Sequence, residues 1–232
     1  MSAIITCSGR SVPLYGDAAV TNHLNDPKGF AQFIIRQINS DRIYDRCLKD
    51  KTDLVILDIG ANVGLFTIYA HDAAKRLVAV EPTPSHQNVF EQLTRDCKNV
   101  ELAKAALCDS DTSVEFFISD ENSTMNSIVN KYGKSIMVEG VCLKSLLDKY
   151  NLDHVDFCKI DIEGSEMRAV TRETLGAVFD RIDHVFIEVH ATVPNFTHMD
   201  IVSNRLKMED ILKDVGYTIE IVNFDTIYAF KK

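Results

Sequence analysis

The chain of 232 residues has no Cys-x-x-Cys pair, no cluster of basic residues and no apolar run longer than a strand. Each absence removes a class of function. Six cysteines at positions 7, 47, 97, 108, 142 and 158 are scattered, so neither a zinc ribbon nor a disulfide framework is expected. They read as reduced, mostly buried thiols, which places the chain in the cytoplasm. Lys and Arg number 25 against 34 Asp and Glu, a formal charge of −9. Nucleic-acid binding needs clustered cations on one face, and none is present. The apolar runs are too short to span a bilayer. The N-terminus lacks the basic flank and continuous apolar core of a signal peptide.

What remains is ordinary for a globular protein: 46% hydrophobic and 25% charged residues. That length suffices for one well-buried α/β domain. From Leu54 onward, strand-like apolar runs alternate with amphipathic helical patterns, which predicts a parallel sheet covered by helices on both faces. Strands are expected at 54–59, 77–80, 100–107, 113–118, 138–143, 155–160 and 184–189. Helices are expected after Gly64, from Pro84, at 144–150, 165–175 and 204–215. Tyr217–Val222 and Thr226–Phe230 are separated by only three residues, so they must pair as an antiparallel hairpin. Asp120–Lys134 is polar and predicts a mobile surface segment. Residues 1–50 read as an N-terminal helical extension or cap, with Phe30, Phe33, Ile34 and Ile38 as a helical stripe; 51–232 form the main domain.

The richest stretch is Leu54–Tyr69. A continuously apolar strand ends on Asp58, a turn follows with Gly60 and Gly64 flanking Ala61-Asn-Val63, and then a helix begins. Glycines permit the tight turn, and the helix N-terminus offers free N–H groups to a ligand. A second strand ends on Glu81, placed to accept bonds from both hydroxyls of a ribose. The spacing lacks the middle glycine that lets a backbone approach a pyrophosphate. Asp58 would repel a pyrophosphate and attract an ammonium or sulfonium. The combination favours S-adenosylmethionine over a dinucleotide.

Asp58-Ile-Gly-Ala-Asn-Val-Gly64, Val80-Glu-Pro-Thr-Pro84, Ala105-Ala-Leu107, Phe157-Cys-Lys-Ile-Asp-Ile-Glu-Gly-Ser-Glu166 and Ile187-Glu-Val-His190 resemble the FkbM family of S-adenosylmethionine-dependent methyltransferases. The likeness covers roughly residues 50–190. It implies the class I methyltransferase (Rossmann-like) fold, a seven-stranded sheet with its last strand antiparallel. By the same resemblance Gly60, Ala61, Asn62 and Gly64 line the methionine side of the cofactor, Glu81 holds its ribose, and Ala106 and Leu107 lie near its adenine. It implies O-methylation of a hydroxyl on a sugar, glycan or small natural product.

Ligands of open α/β sheets bind beyond the carboxyl ends of the strands. Alternation puts Lys159 with Asp161 on one face and Glu188 with His190 on one face. These four are the candidate catalytic groups. Asp161 is expected at the cofactor's methyl end or the acceptor, and His190 is a candidate base. Lys159 needs a carboxylate partner, Asp161 or Glu188. Glu163 and Glu166 read as stabilising the next helix's N-terminus. No metal is assigned. Two other classes stay open: a nicotinamide-dependent oxidoreductase and a non-catalytic S-adenosylmethionine-binding scaffold. The acceptor is expected to meet residues 1–50, 120–134 and 191–203, and neither it nor the oligomeric state can be read from the chain.

Overall fold

The computed structural model describes residues 3–7, 10–14, 42–118, 126–129, 131, 133–191 and 197–232. The stripe from Phe30 to Ile38 lies outside them. Two short strands, β1 (Ala3–Cys7) and β2 (Arg10–Leu14), pair antiparallel near the N-terminus, within the stretch expected to be a helical extension or cap. A single helical turn, α1 (Asp45–Leu48), precedes the main sheet.

That sheet contains β3 (Leu54–Ile59), β4 (Ala74–Val80), β5 (Val100–Ala103), β9 (Val155–Ile160), β10 (Ile182–Glu188), β11 (Thr218–Ile221) and β12 (Thr226–Phe230). Its spatial order is β11-β12-β10-β9-β3-β4-β5. All neighbours pair parallel except those of β12, which runs antiparallel to both β10 and β11. This is the expected seven-stranded architecture, and strand order reverses between β3 and β9, where ligands of such sheets bind.

Strand alternation divides the core in two. Leu57, Ile59, Cys158, Ile160, Val185 and Ile187 face one side. Ile56, Leu77, Ala79, Phe157 and Phe186 face the other, where the rings of Tyr44 and Phe66 meet Phe186 and Phe157 at tilted angles. Burying each large side chain contributes roughly 1.5–3 kcal/mol relative to leaving it exposed. Helices α2 (Leu65–Ala70), α3 (Pro84–Leu93), α4 (Leu143–Lys149), α5 (Glu166–Ala169), α6 (Arg172–Gly176) and α7 (His198–Val215) accompany the strands.

Three expectations need correction. The run 100–107 is not one strand. The chain leaves the main sheet after Ala103, and β6 (Ala106–Leu107) joins a separate three-stranded sheet with β7 (Thr112–Ile118) and β8 (Lys134–Val141). The run 165–175 is two helices. Val170 is extended, and Thr171 starts a new helix through a capping box with Thr174. Part of the supposed surface segment is interior: Asn126, Ser127 and Ile128 are buried, and Ser127 bridges backbone to Phe117.

The glycine turn dictates how closely β3 and β9 approach. Gly60 has φ +80°, and a Cβ there would sit 1.7 Å from the Asp161 carbonyl oxygen. At Gly64, φ +93°, a Cβ would press on the Phe90 ring at 2.7 Å. Gly60→Ala is therefore expected to abolish cooperative folding or lower the melting temperature severely. Gly176→Ala, which meets nothing within 4 Å, should change stability by at most about 1 kcal/mol. Paired thermal melts check this; equal melting temperatures would contradict it.

Candidate active site

The ends of β3, β4 and β9 open onto one cavity of about 870 Å³, counting the part that reaches solvent. Its floor is the glycine turn. Val80 O accepts bonds from both Gly60 N and Ala61 N, at 3.0 Å each, which pins the turn to β4. Asn62 has φ +52° and returns its Oδ1 to Val63 N at 2.7 Å. Asparagine tolerates that left-handed backbone through such a local bond, so no glycine is needed there.

Glu81, at the end of β4, is held from two sides. Oε2 accepts from Asn62 N at 2.9 Å and Oε1 from Thr83 N at 2.8 Å. His86 Nδ1 lies 3.3 Å from Oε1 without hydrogen-bond alignment. Burial works to raise the carboxyl pKa, but the neighbouring His86 and Thr83 outweigh it and hold it below the usual value. An ionised, oriented carboxylate with lone pairs to spare thus borders the cavity. Ala106 and Leu107 line the wall beside it, joined by Phe116, Asn126 and Ile128 from the smaller sheet and its insertion.

The opposite wall is ionic. Asp58 and Lys159 are opposed in the β3–β9 register. Lys159 is buried, with its Nζ 3.1 Å from Asp161 Oδ2, 3.9 Å from Asp58 Oδ1 and 5.8 Å from the Phe66 ring centroid. Burial disfavours the ammonium, but Asp161 and Asp58 prevail and hold its pKa above the ordinary value. Burial likewise works to raise Asp161, but Lys159 and His190 hold it below the carboxylate range. Asp58 is fully buried and does not line the cavity, contrary to the direct ligand contact expected of it. Its Oδ2 accepts from Thr67 Oγ1 at 2.6 Å, and burial pushes its pKa up.

Beyond Asp161 the acids gather around His190. Its Nε2 stands 3.6 Å from Glu163 Oε2, 3.7 Å from Glu188 Oε1 and 3.9 Å from Asp161 Oδ1; its Nδ1 is 3.0 Å from Glu166 Oε1. Burial lowers the imidazole pKa, but Glu166 and Glu163 override it and raise it well above the usual value. Burial pushes Glu163 and Glu188 up to about 8 each. Asp161, Glu163 and His190 offer atoms within 4.8 Å of one another, a spacing that a small cation could bridge.

The structure brings most of the sequence-predicted site residues to one region. Gly60, Ala61, Asn62, Glu81, Lys159 and Asp161 line the cavity, while Gly64, Glu188 and His190 stand directly behind the lining. Tyr44, a buried ring in the cavity wall, and Asn126 and Ile128 come from the segments 1–50 and 120–134 expected to face the acceptor, though none was singled out, and Phe116 of β7 was missed. Also missed was His86, which the first turn of α3 turns back to Glu81. No helix among the described residues is long and apolar enough to cross a membrane.

Comparison with known proteins agrees with this geometry. The family model described as "Methyltransferase FkbM domain" matches residues 58–219. The chain is 27% identical over 184 residues to Methyltransferase 1 of Beauveria bassiana, covering 68% of this chain and 73% of that protein. It is 25% identical over 226 residues to methyltransferase sdnD of Sordaria araneosa, covering 82% and 83%. It also matches AMB antimetabolite synthetase AmbE of Pseudomonas aeruginosa at 23% identity, but spans only 11% of that protein. Among solved structures, an FkbM methyltransferase from Methylobacillus flagellatus aligns with TM-score 0.50 and 15% identity, over 90% of this chain and 47% of that one. The ribosomal protein L11 methylase of Lactobacillus delbrueckii aligns with TM-score 0.50 and 12% identity, over 87% and 80%. These likenesses carry the fold; the family match carries the chemistry. The chain belongs to the FkbM family of S-adenosylmethionine-dependent methyltransferases.

Proposed function

We propose that the protein transfers the methyl group of S-adenosylmethionine to a hydroxyl of a sugar, glycan or small natural product. The observation that carries this reading is the polarity of this cavity. An oriented carboxylate, Glu81, stands at one end, and Lys159, Asp161 and Glu163 stand at the other. A nucleoside sulfonium fits that order: ribose on Glu81, adenine between Ala106, Leu107 and Phe116, methionine over Gly60, Ala61 and Asn62. Gly64 contributes through the turn, and Asp58 through Lys159 rather than by touching the ligand. The oxidoreductase reading lacks a hydride-transfer constellation, and the scaffold reading leaves the cluster around His190 without a task.

When bound, S-adenosylmethionine supplies an activated methyl on a good leaving group. The protein then has to align the acceptor, exclude water and take up a proton. Alignment alone is worth on the order of 7–11 kcal/mol, and a positioned base typically adds about 10²–10⁴-fold. Asp161, steadied by Lys159, is the group at the methyl end. Behind it, His190 in its neutral form is the proton acceptor, and Glu188, which keeps its own proton up to about pH 8, stands 3.7 Å from the ring. Titration calorimetry is expected to show S-adenosylhomocysteine binding and no NAD binding; NAD binding alone would contradict the assignment.

Two further outcomes are expected. Glu81→Gln keeps the shape but turns an amide toward one of two backbone donors. It should weaken S-adenosylhomocysteine by about 10–100-fold, the worth of one or two charge-assisted bonds, with an unchanged circular-dichroism spectrum. Unchanged affinity would refute the ribose role. The second concerns pH. Glu188 has its pKa raised from 4.5 to about 8, so the folded chain keeps a proton that the unfolded chain releases between those values. Stability must fall as pH rises through that window. His190, also raised, adds a loss of the same sign. Glu188→Gln removes part of this fall, so its melting temperature should gain on wild type between about pH 5 and about pH 9. A constant difference would contradict the assignment.

A further inference from the structure

Glu166 reads from sequence as a helix-end acid, and as such it would need only to meet backbone N–H groups. It does more. Its side chain is fully buried; Oε1 accepts from Ile162 N at 3.0 Å, and Oε1 and Oε2 accept from Gly164 N at 3.2 and 3.0 Å. The same Oε1 lies 3.0 Å from His190 Nδ1, across 24 residues of sequence. A carboxylate so supplied with donors acts as an acceptor, so Nδ1 must carry its hydrogen. In the neutral imidazole the lone pair then falls on Nε2. That atom faces Asp161, Glu163 and Glu188 at 3.6–3.9 Å, beyond hydrogen-bond length to any of them. The His190 main chain is anchored as well, because Asn204 Nδ2 donates to its carbonyl at 3.0 Å.

We propose that Glu166 is a positioning residue of the transferase centre: it fixes His190 as the Nδ1–H tautomer and turns the Nε2 lone pair toward the acceptor side of Asp161. This rests on the transferase reading above. In the step it serves, the acceptor oxygen bonds to the methyl carbon as the carbon–sulfur bond breaks, and the electron pair of that bond stays on sulfur. The acceptor's proton passes to Nε2. The products are a methyl ether, S-adenosylhomocysteine and an imidazolium held between Glu166 and the three other acids. Lys159 pairs with one of them, Asp161, at 3.1 Å.

Nitrogen-15 NMR of the histidine rings tests this without an acceptor. His190 is assigned by the signal lost in His190→Gln, and spectra are taken at a pH where the ring is neutral. The expected result is a predominant Nδ1–H form in wild type and loss of that preference in Glu166→Ala. A predominant Nε2–H form in wild type overturns the proposal, and so does an unchanged tautomer in Glu166→Ala. Should Glu166→Ala fail to fold, the wild-type spectrum decides alone. With an acceptor found by radiolabelled methyl transfer, Glu166→Ala should cost no further activity in the His190→Gln background; losses that add would mean that Glu166 acts independently. S-adenosylhomocysteine titration of wild type separates the two levels. If it binds while the tautomer is wrong, only the role of Glu166 falls; if it does not bind, the transferase reading falls as well.

Discussion

A single buried ammonium governs this molecule. Lys159 is side by side with Asp58 in the sheet and pairs with Asp161 just past the end of its own strand. Any one of the three, left alone in that interior, would carry a large desolvation penalty. Together they fasten the two central strands at the point where strand order reverses. Asp58 extends the chain of charges to Thr67 on α2, and Phe66 from the same helix offers its ring to the ammonium. The glycine turn spans between these anchors. Gly60 can touch the Asp161 carbonyl only because it has no side chain, and Asp161 N bonds Ile59 O at 3.0 Å.

From that anchor the cavity divides by physical means as well as by position. The Glu81 end is built from backbone: amides of Asn62 and Thr83 hold the carboxylate, and carbonyls hold the turn. Such an end is stiff and recognises a constant ligand part. The Asp161 end is built from side chains whose charges depend on one another. Glu163, Glu188 and His190 stand close enough that the charge on each shifts the pKa of the others. A reaction that must collect a proton belongs at the second end, and a cofactor that must be gripped belongs at the first.

The sequence disclosed the parts governed by local rules. β9 was legible to the residue, because its apolar positions Val155, Phe157, Cys158 and Ile160 stop where Asp161 begins. The antiparallel ending was forced by a three-residue connection. Lys159 was conspicuous for the opposite reason, as a charge inside an apolar run, though its second partner, Asp58, depends on register between strands distant in sequence. What stayed hidden depended on tertiary neighbours. Nothing in the run 100–107 says that Ala106 leaves the main sheet for β8, because periodicity does not name a strand's partner. Asn126 and Ser127 are polar and still buried, since Thr83 and Ser165 are there to bond them. Tyr44 sits in a stretch without clear pattern and acquires its role only by packing against Phe66 and Phe186.

If Lys159 is the anchor, removing its charge must damage fold and site together. Lys159→Met keeps much of the side chain's bulk and leaves Asp58 and Asp161 facing each other without a counter-charge. Losing one member of a buried pair typically costs about 3–5 kcal/mol. Denaturant unfolding of this variant, paired with S-adenosylhomocysteine titration of its folded fraction, is the most direct measurement. The account predicts a stability loss of that order and a clear loss of affinity. A variant as stable as wild type that binds the ligand equally well would contradict it.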